Sequence, residues 1–321
     1  MQKWNTKLKD FSTTVNGRYD DLRYEYKDHN DNVNDVSPSY NAFSYRAGLN
    51  YTINKDASLY TSVSTGFRAP TVGQISKNKE GIAAGYNVPA ELDPETTINY
   101  ELGLRGSSYG FNYDLAMYQL DRNDYIGRQG GSYSSSDGWG ASSNVDEDEY
   151  YFNLGDMRSR GLELGLNSDR KKELSFSLAY TYLRATFEEY SMTRKDGFSY
   201  EHVDLSGKTV PRTSKHTVNL VLDYKPLPNL LISPELIARS SYYADEANNF
   251  KQNGYEVVNL RANYQITKNI EFFAKIDNLL DKNYYTFVTI YATDASLTLE
   301  DDATYRVAAP RSYYAGMRMK F

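Results

Sequence analysis

The run Ile98-Asn99-Tyr100-Glu101-Leu102-Gly103-Leu104-Arg105 alternates apolar and polar residues without a break. A period of two places successive side chains on opposite faces of a strand, so this run has one apolar and one polar face. The pattern recurs in both directions along the chain. Leu162, Leu164 and Leu166 interleave with Glu163, Gly165 and Asn167, and Phe176, Leu178, Tyr180 and Tyr182 with Ser175, Ser177, Ala179 and Thr181. Val218 to Tyr224 and Val258 to Tyr264 repeat it, and Tyr313, Ala315, Met317, Met319 and Phe321 close the chain on the same beat. No 3.6-residue stripe competes with it.

About twelve such strands can be marked, near 9–26, 40–52, 57–67, 96–106, 110–122, 151–167, 173–187, 214–225, 230–243, 255–266, 270–281 and 311–321. Their connections alternate in length. Short turns lie around Asn54-Lys55-Asp56, Ser107-Ser108, Ser168-Asp169-Arg170, Pro226-Leu227-Pro228 and Thr267-Lys268-Asn269. Long polar connections span roughly 27–39, 68–95, 123–150, 188–213, 244–254 and 282–310. Short turns at one end and long loops at the other are the arrangement of an up-and-down transmembrane β-barrel. An even strand count would put both chain ends on the short-turn side. A soluble sandwich has no need to gather its long loops at one end, and a propeller would repeat a blade motif, which is not found. The fold class is therefore all-β, antiparallel, with residues 1–321 as one barrel domain. Ile98, Tyr100, Leu102, Leu104, Phe176, Leu178, Val258, Leu260 and Met317 should face lipid, and Asn99, Glu101, Arg105, Glu163, Asn259 and Arg261 the interior.

Composition narrows the function. Among 321 residues there are 31 Tyr, 13 Phe, 2 Trp and no Cys, so thiolate metal sites and cysteine nucleophiles are excluded. Net charge is 36 − 42 = −6, which argues against a nucleic-acid partner. Three histidines (His29, His202, His216) lack metal-ligand spacing, and only His216, near Ser214, sits on a strand. Neither a catalytic constellation nor a cofactor is expected. Acidic clusters at Asp28/Asp31/Asp35, Asp146/Glu147/Asp148/Glu149 and Glu300/Asp301/Asp302 lack the spacing of a calcium loop and read as solvated charge. No run approaches the ~18–20 apolar residues of a spanning helix, which says nothing about strands. The start, MQKWNTKLKDF, has no apolar core and is not a secretory signal.

Several phrases carry a resemblance. Tyr60-Thr61-Ser62-Val63-Ser64-Thr65-Gly66-Phe67-Arg68-Ala69-Pro70-Thr71, followed by Leu92-Asp93-Pro94-Glu95, resembles the strand-and-loop entry of TonB-dependent outer-membrane receptors. Arg158-Ser159-Arg160-Gly161-Leu162-Glu163 is similar to that family's R-x-x-G-x-E strand. Gly207-Lys208-Thr209-Val210-Pro211-Arg212 is similar to its proline segment, with Ser214 where a second proline is usual. Ile276-Asp277-Asn278-Leu279-Leu280-Asp281-Lys282-Asn283-Tyr284 resembles its late NLFDKxY signature. These phrases run in family order over 57–321, which resembles the C-terminal barrel portion of a receptor of about 22 strands, without the plug and the earlier strands.

The resemblance implies a bacterial outer-membrane importer of iron–siderophore complexes, driven by the TonB partner through a plug. Cobalamin or another scarce nutrient is the alternative cargo. It also implies contact with outer-membrane lipid and barrel-assembly machinery, with terminal Phe321 as the assembly signal. Iron chelates are bulky and often anionic, so Arg beside Tyr or Trp at the outer rim is the expected chemistry. Arg122, Tyr125, Arg128 and Trp139 of the 123–150 connection, and Arg239, Tyr242 and Tyr243 at the next rim, are the candidates. A plugless passive pore is the rival reading. Closure at about twelve strands would require Phe11–Tyr26 to pair with Arg311–Phe321, because lipid cannot satisfy open edges.

Overall fold

The computed structural model describes residues 2–27, 35–130, 132–133, 149–169, 172–196, 199–290 and 303–320. One antiparallel sheet dominates, with thirteen wall strands following one another in chain order. They are β1 (Gln2–Leu8), β2 (Phe11–Arg23), β3 (Ser39–Asn54), β4 (Ala57–Arg68), β5 (Glu95–Ser108), β6 (Phe111–Gly130) and β7 (Glu149–Ser168). β8 (Leu174–Asp196), β9 (His216–Leu227), β10 (Leu230–Arg239), β11 (Tyr255–Thr267), β12 (Ile270–Asp277) and β13 (Ser312–Met319) complete the wall. A fourteenth segment, Ser199–Asp204, folds back on β8. Sequential antiparallel order puts every long connection at one end and every short turn at the other.

The sequence reading needs four corrections. The expected first strand, 9–26, is Phe11–Arg23, and a further strand, Gln2–Leu8, precedes it through the turn at Lys9-Asp10, with Leu8 paired to Phe11; these seven residues had not registered as a strand. The series of wall strands is therefore odd rather than even. β6 and β8 reach well beyond their expected loop-side limits and β7 by two residues, whereas β10 stops at Arg239 and β12 at Asp277. β12 stops because Asn278 takes φ +52° and bonds locally, as described below. The 68–95 connection holds a helix, α1 (Val72–Ala83), and the last long connection holds a hairpin of Tyr285–Ile290 with Ala303–Val307. Finally, the sheet ends on β1 and β13, and the two do not pair among the described residues.

Register fixes the faces. Residues directly opposite in an antiparallel pair share a face. One row runs Phe11, Tyr51, Leu59, Leu104, Leu115, Leu164, Tyr180, Val218, Ala238, apolar across nine strands. Among the described residues no second sheet covers this face: Tyr100 is 48% and Met117 50% exposed. Bare aromatic and aliphatic side chains on one face are the signature of lipid contact. The opposite face is polar and internally paired. Glu235 accepts from Asn219 Nδ2 (3.1 Å), Asn259 Nδ2 (3.1 Å) and Arg261 Nη2 (3.0 Å). On the same face the Tyr118 ring lies over Gly161, where a Cβ would come within 2.3 Å of the ring.

The upper limit of the lipid band can be traced on the outward face. Moving up each strand, the first charged or imidazole side chain is Asp121 on β6, Arg160 on β7, Arg184 on β8, His216 on β9 and Glu256 on β11. Between β6 and β11 this boundary drops by three rows of the register. That is roughly 20 Å along the strands against roughly 24 Å across them. A level membrane surface then crosses strands tilted by about 40°, within the range for outer-membrane barrels.

Candidate functional site

The loop end of β6, β7 and β8 is built on bulges. Between Arg122 and Tyr125, β6 carries one residue more than β7 does between Met157 and Gly155. β8 does the same between Phe187 and Glu189. An extra residue reverses which side chains face inward beyond it. Asp124, at φ +57°, is the extra residue on β6; its N–H donates to Asp156 Oδ1 (3.1 Å) and its carbonyl accepts from Asn153 Nδ2 (2.8 Å). Gly155 makes the level possible: its φ is +138°, and a Cβ there would fall 1.7 Å from the Glu189 carbonyl oxygen. Arg122, Tyr125, Phe187 and Tyr190 all end on the inner face.

Two of the expected rim residues meet here. The Arg122 guanidinium lies 6.0 Å from the Tyr125 ring centroid, and Tyr125 packs 6.2 Å from Tyr190, which stacks 4.1 Å from Phe187. Leu154 and Leu205 complete this buried cluster. Arg122 is partly committed, its Nε 4.0 Å from Glu95 Oε2. Glu95, 2% exposed, is gripped by Arg68 through Nε–Oε2 (2.9 Å) and Nη2–Oε1, and accepts from the Ile126 N–H (2.9 Å).

A second cationic and aromatic group lies on the loop side. Arg212, at φ +62°, donates its N–H to the Tyr243 carbonyl (2.7 Å), and its guanidinium sits 5.4 Å from the Phe287 ring. Arg306, paired in register with Phe287, lies 5.8 Å from the same ring. Neither arginine has a carboxylate partner among the described residues. Tyr242 is buried, accepts the Val288 N–H (2.9 Å) and has its phenol pKa pushed up by that burial.

The other candidates stand apart. Arg128 donates to Tyr151 Oη (3.0 Å) and lies over that ring at 5.2 Å. Arg239 is exposed at the end of β10, opposite Thr217 and Tyr255. Tyr243 is half-buried and pairs with Lys251. Trp139 and Phe321 lie outside the described residues, as do most of the acidic clusters. Among the described residues no cluster of His, Asp or Glu could hold a metal ion. Glu95, Tyr190, Arg212, Phe287 and Arg306 were not singled out by the sequence reading. Only Glu95 and Arg212 lay in quoted phrases that could have flagged them.

Those quoted phrases prove to be structural joints. Arg68 of the first pairs with Glu95 of the second. In the last, Asn278 is 3% exposed; its side chain donates to the Lys282 carbonyl (2.9 Å) and accepts the Lys282 N–H (2.8 Å). Arg311 N–H then donates to Asp281 Oδ1 (3.0 Å), tying β13 to the end of β12. Helix α1 starts on a Thr71/Gln74 capping box and is held to β7 by Asn78, which donates to the Tyr151 carbonyl (2.7 Å).

An open-faced β-wall with lipid outside, polar pairing inside and a cationic, aromatic rim defines a large outer-membrane barrel. Residues 3–279 match the family described as TonB dependent receptor-like, beta-barrel, and the chain belongs to that family. It is 26% identical over 259 residues to the probable TonB-dependent siderophore receptor PiuA of Acinetobacter baumannii, covering 78% of this chain and 32% of that protein. It is 26% identical over 275 residues to the vitamin B12 transporter BtuB of Photobacterium profundum, covering 84% and 36%. The crystal structure of PiuA superposes with a TM-score of 0.70 at 21% identity, covering 97% of this chain and 41% of PiuA. The chain thus spans about a third of the length of the curated relatives it matches. The family is one of bacterial outer-membrane transporters, not of enzymes, and the outer membrane is where this barrel resides.

Proposed function

We propose that this chain forms wall and outer rim of a TonB-dependent importer of iron–siderophore complexes. The observation that carries the reading is the rim series Arg122, Tyr125, Arg212, Phe287 and Arg306, which joins aromatic rings to two guanidinium groups without carboxylate partners among the described residues. An anionic, oxygen-rich chelate offers acceptors for both guanidiniums and a flat body for the rings. Cobalamin, with less negative charge to offer, uses that pairing less well. TonB would act through the plug of the complete receptor.

Uptake by iron-starved cells whose receptor carries this wall tests the reading. Labelled iron is presented as carboxylate, catecholate or hydroxamate chelates, with labelled cobalamin alongside. The expected result is TonB-dependent iron entry, lowered about tenfold (about 1.4 kcal/mol) by Arg212→Ala with Arg306→Ala. Entry of cobalamin in place of iron would move the cargo to the alternative. Equal entry with and without TonB would favour a passive pore.

A further inference from the structure

The outward face above the lipid band carries a charge arrangement that the import reading does not use. Register places Arg184 of β8 directly opposite Arg160 of β7, which in turn faces Gln119 of β6. Like charges directly opposite one another destabilise a sheet unless something lies between them. The nearby carboxylates are already engaged. Arg158 takes Asp121 at 2.5 Å and Glu188 at 2.9 Å. Arg160 donates Nε only to the neutral Gln119 Oε1 (2.8 Å), and Arg184 has no carboxylate partner among the described residues. Both are exposed.

What lies beneath this pair selects its partner. One row lower the outward side chains are Met117, Leu162, Tyr182 and His216. Tyr180 Oη meets His216 Nδ1 at 2.9 Å, and the Tyr182 ring stands 5.4 Å from the imidazole. These rings form an interfacial belt, and the rows below it are Leu and Tyr. A ligand that satisfies both levels has an anionic group of fork-compatible geometry joined to an apolar body. Guanidinium pairs match phosphate oxygens in this way. The pair faces away from the barrel interior, so imported cargo does not reach it.

We propose that Arg160 and Arg184 together bind the phosphate of a lipid headgroup in the outer leaflet, with Tyr182 and His216 against the upper part of its chains. The test uses the full chain purified in dodecyl maltoside, with bound lipid counted by native mass spectrometry. It is titrated with dioleoyl phosphatidylglycerol and, separately, with dioleoylglycerol, which lacks the phosphate. Arg160→Gln with Arg184→Gln should lower retained phosphatidylglycerol about tenfold and leave dioleoylglycerol unchanged. Arg160→Lys with Arg184→Lys, which keeps the charge but removes the fork, should lose retention too, though less than the Gln pair. Arg46→Gln, removing a guanidinium from the inner face, should lose nothing. Equal retention by the chain and its Gln pair would overturn the proposal, as would an equal loss in Arg46→Gln. Complete displacement of the lipid by inorganic phosphate at the lipid's own concentration would also overturn it, because the apolar level would then contribute nothing.

Discussion

Strands β6, β7 and β8 look like two different proteins below and above a boundary that runs, beneath their bulges, between the rows of Leu162 and Arg160. Below it, the outward residues are Leu115, Met117, Leu162, Leu164, Leu178 and Tyr180, and the inward ones are Asp114, Ala116, Glu163 and Thr181. Above it, the outward residues are Asp121, Arg158, Arg160, Arg184 and Thr186, and the inward ones are Met157, Phe187, Tyr190 and Leu154. The backbone continues in the same sheet while its polarity turns inside out. The cause is the solvent: lipid rewards apolar surface on the outside, water rewards it on the inside. The rim is thus an ordinary water-side structure grown on a membrane wall. Its aromatic cluster is a small core.

The largest expected effect comes from the bulge level inside the upper regime. Gly155→Ala places a Cβ into the Glu189 carbonyl at a φ that L side chains rarely adopt. It should cost about 4 kcal/mol or more, read as a loss of the folded, heat-modifiable species. Next comes a swap across the boundary. Leu164→Arg puts a guanidinium in the middle of the lipid band and should cost about 2–4 kcal/mol in urea unfolding from bilayers. Arg160→Leu, two rows higher on the same face, should change stability by less than about 0.5 kcal/mol. Equal costs for the two would erase the boundary. A smaller effect is expected for Glu95→Gln, which removes the charge that Arg68 grips in a buried site and should cost about 2 kcal/mol. The same variant should free Arg122 and strengthen ferric-chelate binding at the rim, measured by equilibrium binding.

The wall was legible in the sequence because its rule is local. Leu162-Glu163-Leu164 states its two faces without any knowledge of its neighbours, and turns such as Thr267-Lys268-Asn269 mark the strand ends. The rim was legible only in part, since its rules are not local. Which way Tyr125 points depends on an extra residue at Asp124, counted against β7, and no single strand records that count. Phe287 and Arg306 meet through a hairpin, and Arg212 joins them from a different connection. Helix α1 did carry a readable sign, Thr71-x-x-Gln74, hidden inside a segment taken as a polar loop. β1 was missed because it is short and carries Lys3 and Lys7.

The central claim is that one face of this sheet passes from lipid to water between Leu162 and Arg160 on β7. The sequence has no cysteine, so single Cys substitutions at positions 158, 160, 162, 164 and 166 can each carry a nitroxide spin label without background. Collision rates with oxygen and with a water-soluble nickel chelate then report the depth of each label in bilayers. The account predicts hydrocarbon-like values at 162, 164 and 166 and aqueous values at 158 and 160. Labels at 161, 163 and 165 should report the polar interior. Hydrocarbon-like values at 158 and 160, or no alternation between neighbouring positions, would contradict it.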